Sequence, residues 1–235
     1  MRFNYYGFFL IMSFVIPFAM ASGILLHKKV AKMHVFFCAF INFLMAAYFS
    51  KIFALFTQGT STDLLKSGFS SLGAAFGLVS GIIIYRFIYP PIAKDITDAY
   101  FLTAPLMDSI AKIGCHFAGC CHGIPYEGLF HISYSNEYFR TGNLFPVQAT
   151  ESIVFFLIFV ICLIIYLKSE RKLILPPVLI LCGICKFLLA YLREEQIGVL
   201  ISLNQLLCIV AVILGIAIAI VQKHKLRKVV TQSDL

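Results

Sequence analysis

The sequence predicts an all-α membrane protein, a seven-transmembrane-helix bundle with its N-terminus outside and its C-terminus cytoplasmic. Three observations carry that expectation. Hydrophobic residues make up 60% of the chain, charged residues only 13%, and the mean hydropathy is +0.92. A soluble domain carries roughly a quarter charged residues, so water is not the main solvent here. Apolar runs close to the length that crosses a bilayer recur along the whole chain, and basic residues gather in alternate connections.

The spans fall at roughly 5–26, 33–56, 68–88, 98–118, 151–168, 174–193 and 202–222. The first has no small-residue cleavage site followed by a soluble region, so it reads as a retained helix. The fourth carries Asp108 and Lys112 and is the least apolar. Between the fourth and fifth runs lies the only long connection, about 119–150, polar and aromatic with Pro125, Gly128, Gly142 and Pro146. It predicts a small outer cap. The 24 Phe suit lipid-facing helices and the 11 Tyr suit the interfaces, with no Trp to share that role. At 235 residues with no internal repeat, 1–235 reads as a single polytopic domain.

Orientation follows from charge. One set of connections holds Lys28, Lys29 and Lys32; Arg86 and Lys94; Lys168, Arg171 and Lys172; and Lys223, Lys225, Arg227 and Lys228. The other set holds Arg2, Lys51, Lys66, Arg140 and Arg193. The richer side is cytoplasmic by the positive-inside rule. The net charge of +8 is therefore spent on orientation and anionic lipid headgroups. Membrane lipids are the expected partners, and nucleic acid is not.

Ionisable groups at membrane depth are costly and face a cavity or a partner. Asp108 and Lys112, four apart on one helix, are close enough to pair. Lys186 and Arg193 lie nearly on one face of a continuous helix, a stripe of two cations suited to a phosphate headgroup; snorkelling to the interface is the plainer account of Arg193. Cys38, Cys162 and Cys208 are isolated in apolar runs and read as small hydrophobes. Cys182 and Cys185 share a helical face, a weak sign of redox chemistry.

The segment from Lys112 to Gly123 is different. Cys115, His116, Cys120, Cys121 and His122 fall within it, beside Gly114, Gly119 and Gly123, which allow close backbone approach. Such a cluster suits a soft metal, a thiol activated by a neighbouring imidazole, or a disulfide on an oxidising face. The C-x4-C-C spacing matches no common zinc module, so no metal is assigned and no cofactor is expected.

At this segment the sequence resembles the prolipoprotein diacylglyceryl transferase family, whose signature is an Asp followed by R-I-G-N-F-x-N-G-E-x-x-G. Here Asp98 precedes Lys112-Ile113-Gly114, and Gly119 to Gly123 follow without a gap. A branch of that family carries G-C-F-x-A-G-C-C-Y-G, nearly reproduced here with His122 for the Tyr. Other landmarks come in order: Tyr6-Gly7 in the first helix, Phe69 to Gly73 for S-F-H-G-G, and Pro146 to Glu151 for P-x-Q-x-Y-E. Lys186-Phe187 to Arg193 resembles R-F-x-x-E-x-x-R, and Ser202 to Gln205 resembles S-x-x-Q.

The resemblance implies the seven-span fold of a bacterial cytoplasmic membrane protein. It also implies a lipoprotein-biosynthesis reaction, transfer of diacylglyceryl from phosphatidylglycerol to a lipobox cysteine of a prolipoprotein, with release of glycerol phosphate. The expected catalytic residues are Lys112, Cys115, Cys120, Cys121, His122, Lys186 and Arg193. The expected lipid-binding residues are Tyr6, Gly73, Gly114, Gly119, Gly123, Gln148, Glu151 and Gln205, with helix capping and interhelical bonding the simpler role for Gln148 and Glu151. Several positions depart from the family. Leu72 replaces its His, Lys112 and Lys186 replace Arg, Cys115 replaces Asn, Cys120 replaces Glu, and Ala190 replaces an acid. Lys keeps the charge but loses the bidentate fork for phosphate. The obvious general bases are gone, leaving His116, His122 or Glu151 to stand in. Two alternatives therefore accompany the transferase reading: a paralogue lipidating another acceptor through its own Cys/His cluster, and a non-catalytic lipid-binding membrane protein.

Overall fold

The computed structural model describes residues 5–58, 69–133, 142–168 and 174–233. Arg2, Lys66, Arg140, Arg171, Lys172, the side chains of Lys225, Arg227 and Lys228, residue 68 and the stretch 134–141 of the expected cap lie outside the described residues.

Seven α-helices are present among the described residues: α1 (Tyr5–His27), α2 (Lys32–Gln58), α3 (Ser71–Ile88), α4 (Ala93–Ala118), α5 (Val147–Lys168), α6 (Leu175–Ala190) and α7 (Leu203–Ser233). Two short strands, β1 (Ile132–Ser133) and β2 (Asn143–Leu144), pair antiparallel between α4 and α5. The chain is a helical membrane protein, and α1, α2, α3, α5 and α7 are each long and apolar enough to cross a bilayer.

α4 and α6 fall short for different reasons. α4 carries Lys94, Asp95, Asp98, Asp108 and Lys112. It is also the hub of the bundle, packed along α1 and α5 and touching α3 and α6. Asp98, Thr103, Ser109 and Lys112 are buried against protein rather than lipid, while Lys94 is exposed at the start of the helix. α6 has 16 residues and so rises roughly 24 Å. The expected span 174–193 is thus shorter than read, and the expected cap is shorter too. Pro146 begins the first turn of α5, with the Thr150 N–H bonded to its carbonyl at 3.0 Å, so the cap ends before 147 and Gln148 lies on a helix.

The outer helices present Phe8, Ile11, Phe36, Ile153, Ile213 and similar side chains outward, the surface that lipid tails cover. Because lipid is as apolar as leucine, close packing rather than burial from water holds such helices together. The seam between α2 and α3 illustrates it. Gly73, Gly77 and Gly81 repeat every fourth residue, and a Cβ on them would lie 2.3 Å from the Phe49 carbonyl oxygen, 2.2 Å from that of Met45 and 2.7 Å from Asn42 Oδ1. Only glycine permits backbones this close.

The bundle has two distinct ends. At one, Lys28 pairs with Asp95 and lies 5.8 Å from the Tyr166 ring, joining the end of α1 to the start of α4 and the end of α5. At the other, the start of α1 meets the end of α4, since Gly114 abuts Tyr6 and Phe9. The candidate residues collect at this second end.

Candidate functional site

Glu151 is the centre of the site. It projects from the first turns of α5, is 1% exposed, and carries two cations. Lys112 Nζ on α4 lies 2.8 Å from its Oε2. The Arg193 guanidinium donates from Nε to Oε1 at 3.0 Å and from Nη2 to Oε1 at 2.5 Å and Oε2 at 2.7 Å. A carboxylate this buried is tolerable only because both oxygens are saturated by charged donors. For the same reason it is not a free general base.

Arg193 reaches Glu151 because the cap holds it. α6 ends at Ala190, so Arg193 does not continue the stripe of Lys186; it lies in extended backbone with φ −97° and ψ 142°. The stretch around Gly123 pairs with it as an antiparallel bridge. Ile124 N–H bonds to the Leu192 carbonyl at 3.1 Å and Glu194 N–H to the His122 carbonyl at 3.0 Å. Gly123 permits this packing, for a Cβ there would sit 2.2 Å from the Phe145 carbonyl oxygen.

Lys186 takes a separate partner. Its Nζ donates to Asp108 Oδ2 at 2.8 Å and to Ser71 Oγ at 3.4 Å, above the Phe155 ring at 5.1 Å. The expected pairing of Asp108 with Lys112 therefore does not occur; each reaches across to another helix. Ser71 stands in the stretch whose family counterpart holds a His, and sequence spacing gave no signal of its contact. Lys186, Asp108 and Ser71 tie α6, α4 and α3 together, while Lys112, Glu151 and Arg193 tie α4, α5 and the loop after α6.

The thiols lie at the end of α4. Gly119 caps that helix at φ 62°, its N–H bonding to the carbonyls of Cys115 and His116. The chain turns back, and the sulfurs of Cys115, Cys120 and Cys121 all come within 4.8 Å of one another. Gln148 Nε2 holds the turn by donating to the Cys120 carbonyl at 2.8 Å. Hydrogen bonds from the Cys115 and Cys120 thiols, with the charges of Lys112 and Arg193 behind them, hold the Cys121 thiol well below the usual cysteine range. Tyr6 on α1 is within electrostatic reach of all three thiols. His116 Nδ1 is buried without a hydrogen-bond partner, and His122 contributes its carbonyl to the bridge with Glu194.

Gln205 and Gly73 lie apart from this cluster. Gln205 is fully buried, accepts from Gln196 Nε2 at 2.8 Å and Ser202 N–H at 2.9 Å, and donates to the Phe187 carbonyl at 3.3 Å. It fixes the loop that carries Arg193 against α6 and α7. Gly73 serves the α2–α3 seam.

The family model described as prolipoprotein diacylglyceryl transferase matches residues 1–221. The chain belongs to that family. Among curated proteins it is 26% identical over 157 residues to the phosphatidylglycerol–prolipoprotein diacylglyceryl transferase of Clostridium tetani (strain Massachusetts / E88), covering 65% of this chain and 63% of that one. It is 29% identical over 160 residues to the protein of the same name from Chloroherpeton thalassium (strain ATCC 35110 / GB-78), covering 63% of this chain and 58% of the relative. The match thus spans less than two thirds of either relative's length.

Proposed function

We propose that this chain is a multi-pass enzyme of the bacterial cytoplasmic membrane that moves diacylglyceryl from phosphatidylglycerol to a cysteine thiol of a prolipoprotein. Residues 1–235 act as one polytopic domain with seven spans. The lysine-rich end faces the cytoplasm and the site opens to the outer leaflet.

The observation that carries the reading is the charge balance of the ion network. Lys112, Lys186 and Arg193 face Glu151 and Asp108, so among these five side chains three positive charges meet two negative ones. A phosphodiester carries one negative charge and completes that balance. The side chains of Lys186 and Arg193 are 26% and 14% exposed, against 3% for Lys112. The first two contact the headgroup, and Lys112 positions Arg193 through Glu151. Cleaving the lipid turns the phosphodiester into a phosphate monoester bearing more charge, so the same cations favour the departing group over the bound lipid.

Tyr6 and the backbones at Gly114, Gly119 and Gly123 form the wall on the α1–α4 side. Gln148 holds the turn at Cys120, Gln205 fixes the loop that carries Arg193, and Gly73 closes the α2–α3 seam next to Ser71. Cys115, Cys120, Cys121 and His122 lie where the acceptor thiol arrives.

Transfer from radiolabelled phosphatidylglycerol to a lipobox peptide tests this, using the full chain in detergent. Wild type is expected to lipidate the peptide, and Lys186→Ala and Lys112→Ala to be slower by about a hundredfold or more. A folded wild type that binds the lipid and transfers nothing would overturn the reading in favour of lipid binding alone.

A further inference from the structure

The three thiols at the end of α4 are not arranged like cysteines that only pack. Cys38, Cys162 and Cys208 are buried and apart, whereas Cys115, Cys120 and Cys121 are half-buried with their sulfurs within 4.8 Å of one another. Zinc binds thiolate at about 2.3 Å, which sets ligand sulfurs about 3.8 Å apart in a tetrahedral site. The three sulfurs need little movement to reach that spacing.

The backbone spends free energy to bring them together. Cys121 has φ 56°, the left-handed region that a side chain with a Cβ rarely occupies. The conformation is unfavourable and persists where surrounding contacts over-determine it. Those contacts are present: the Cys120 N–H bonds to the Cys115 carbonyl at 3.1 Å, and Gln148 grips the Cys120 carbonyl at 2.8 Å.

We propose that Cys115, Cys120 and Cys121 bind one zinc ion through three thiolates and leave its fourth position for an incoming thiol. The ion site stands on this geometry alone. Its use rests on the diacylglyceryl-transfer reading. The acceptor S–H loses its proton to solvent on coordination, because a zinc-bound thiol is ionised. The sulfur's electron pair then forms a C–S bond to the glyceryl carbon. The bond from that carbon to the phosphate oxygen breaks, and its electron pair leaves on glycerol phosphate. Metal activation thereby replaces the general base lost with Leu72 and Cys120 in the family's His and Glu positions.

The test uses the full chain in detergent, reduced and stripped of metal, then titrated with Co(II). One Co(II) per chain is expected, with thiolate-to-cobalt charge-transfer absorption that Zn(II) bleaches. Cys120→Ser should weaken cobalt binding at least tenfold. A second readout needs no variant. In the wild type, Zn(II) should protect Cys115, Cys120 and Cys121 from alkylation, mapped by mass spectrometry, and leave labelling of the other five cysteines unchanged. Absence of the absorption band, or equal protection of all eight cysteines, would overturn the site. Zinc binding without lipid transfer would sink the transferase reading and keep the site; transfer by protein that binds no zinc would do the reverse.

Discussion

Glu151 and Lys112 are both nearly fully buried, yet their removal has unequal consequences. Glu151→Gln leaves Lys112 and Arg193 facing each other without their shared counterion. An uncompensated charge in such surroundings costs about 3–5 kcal/mol. Lys112→Met removes one cation and leaves Glu151 on Arg193, whose two-nitrogen grip is intact. Thermal unfolding in detergent should therefore rank wild type above Lys112→Met, and Lys112→Met clearly above Glu151→Gln. The reverse order would show that Lys112, not Glu151, is the keystone. All three residues were legible as candidates because they stand at family motif positions. Their partners were not, because the only neighbours a sequence displays are those three or four apart on a helix. That rule paired Lys112 with Asp108, and two turns of an unbroken helix set Arg193 in line with Lys186. The contacts that form instead, Lys112 to Glu151 and Lys186 to Asp108, depend on how three helices cross, and Arg193 depends on a bridge to Gly123 that no local pattern announces.

The helices themselves were largely readable, since an apolar run needs no tertiary context to declare itself in a membrane chain. Where the reading slipped, the local chemistry was ambiguous. The start of α5 hid behind Pro146 and Gln148, and the end of α6 hid in an unbroken apolar run. The tight seam between α2 and α3 was missed although Gly73, Gly77 and Gly81 show the spacing of small residues that lets membrane helices touch. That seam gives a clean element-scale contrast. Gly77→Val would push a side chain into the Met45 carbonyl, 2.2 Å from where its Cβ must sit, and the backbones must part. Overpacking of this kind costs about 1–3 kcal/mol, and here the loss of backbone contact adds to it. Gly23 in α1 has nothing within 4 Å of an added Cβ, so Gly23→Ala should be neutral or stabilise by up to about 1 kcal/mol. Denaturation midpoints of the two variants should move in opposite directions, or Gly77→Val alone should move.

At the scale of the whole molecule, the two ends of the bundle are chemically unlike, and the proposed reaction depends on which end meets which side of the membrane. The end with Lys28, Lys32, Lys94 and Lys168 gathers cations that anionic cytoplasmic lipid attracts. The end with Glu151, Arg193 and the thiols carries the cap, whose Leu129 and Phe130 stand 83% and 86% exposed and offer an apolar tip to a bilayer surface. A seven-span path with the cation-rich end inside puts the C-terminus in the cytoplasm and the cap outside. A fluorescent protein fused after Leu235 folds and emits only on the cytoplasmic side, so it should fluoresce. An epitope inserted after Leu129 should react with antibody on intact spheroplasts. Both results together place the ion network at the outer leaflet, where a lipobox cysteine emerges from the membrane. A dark fusion with an inaccessible epitope would turn the bundle over and bring the headgroup site to the cytoplasmic leaflet. The zinc site, resting on sulfur geometry, would survive that result; transfer to an exported prolipoprotein would not, because donor and acceptor would then lie on opposite sides.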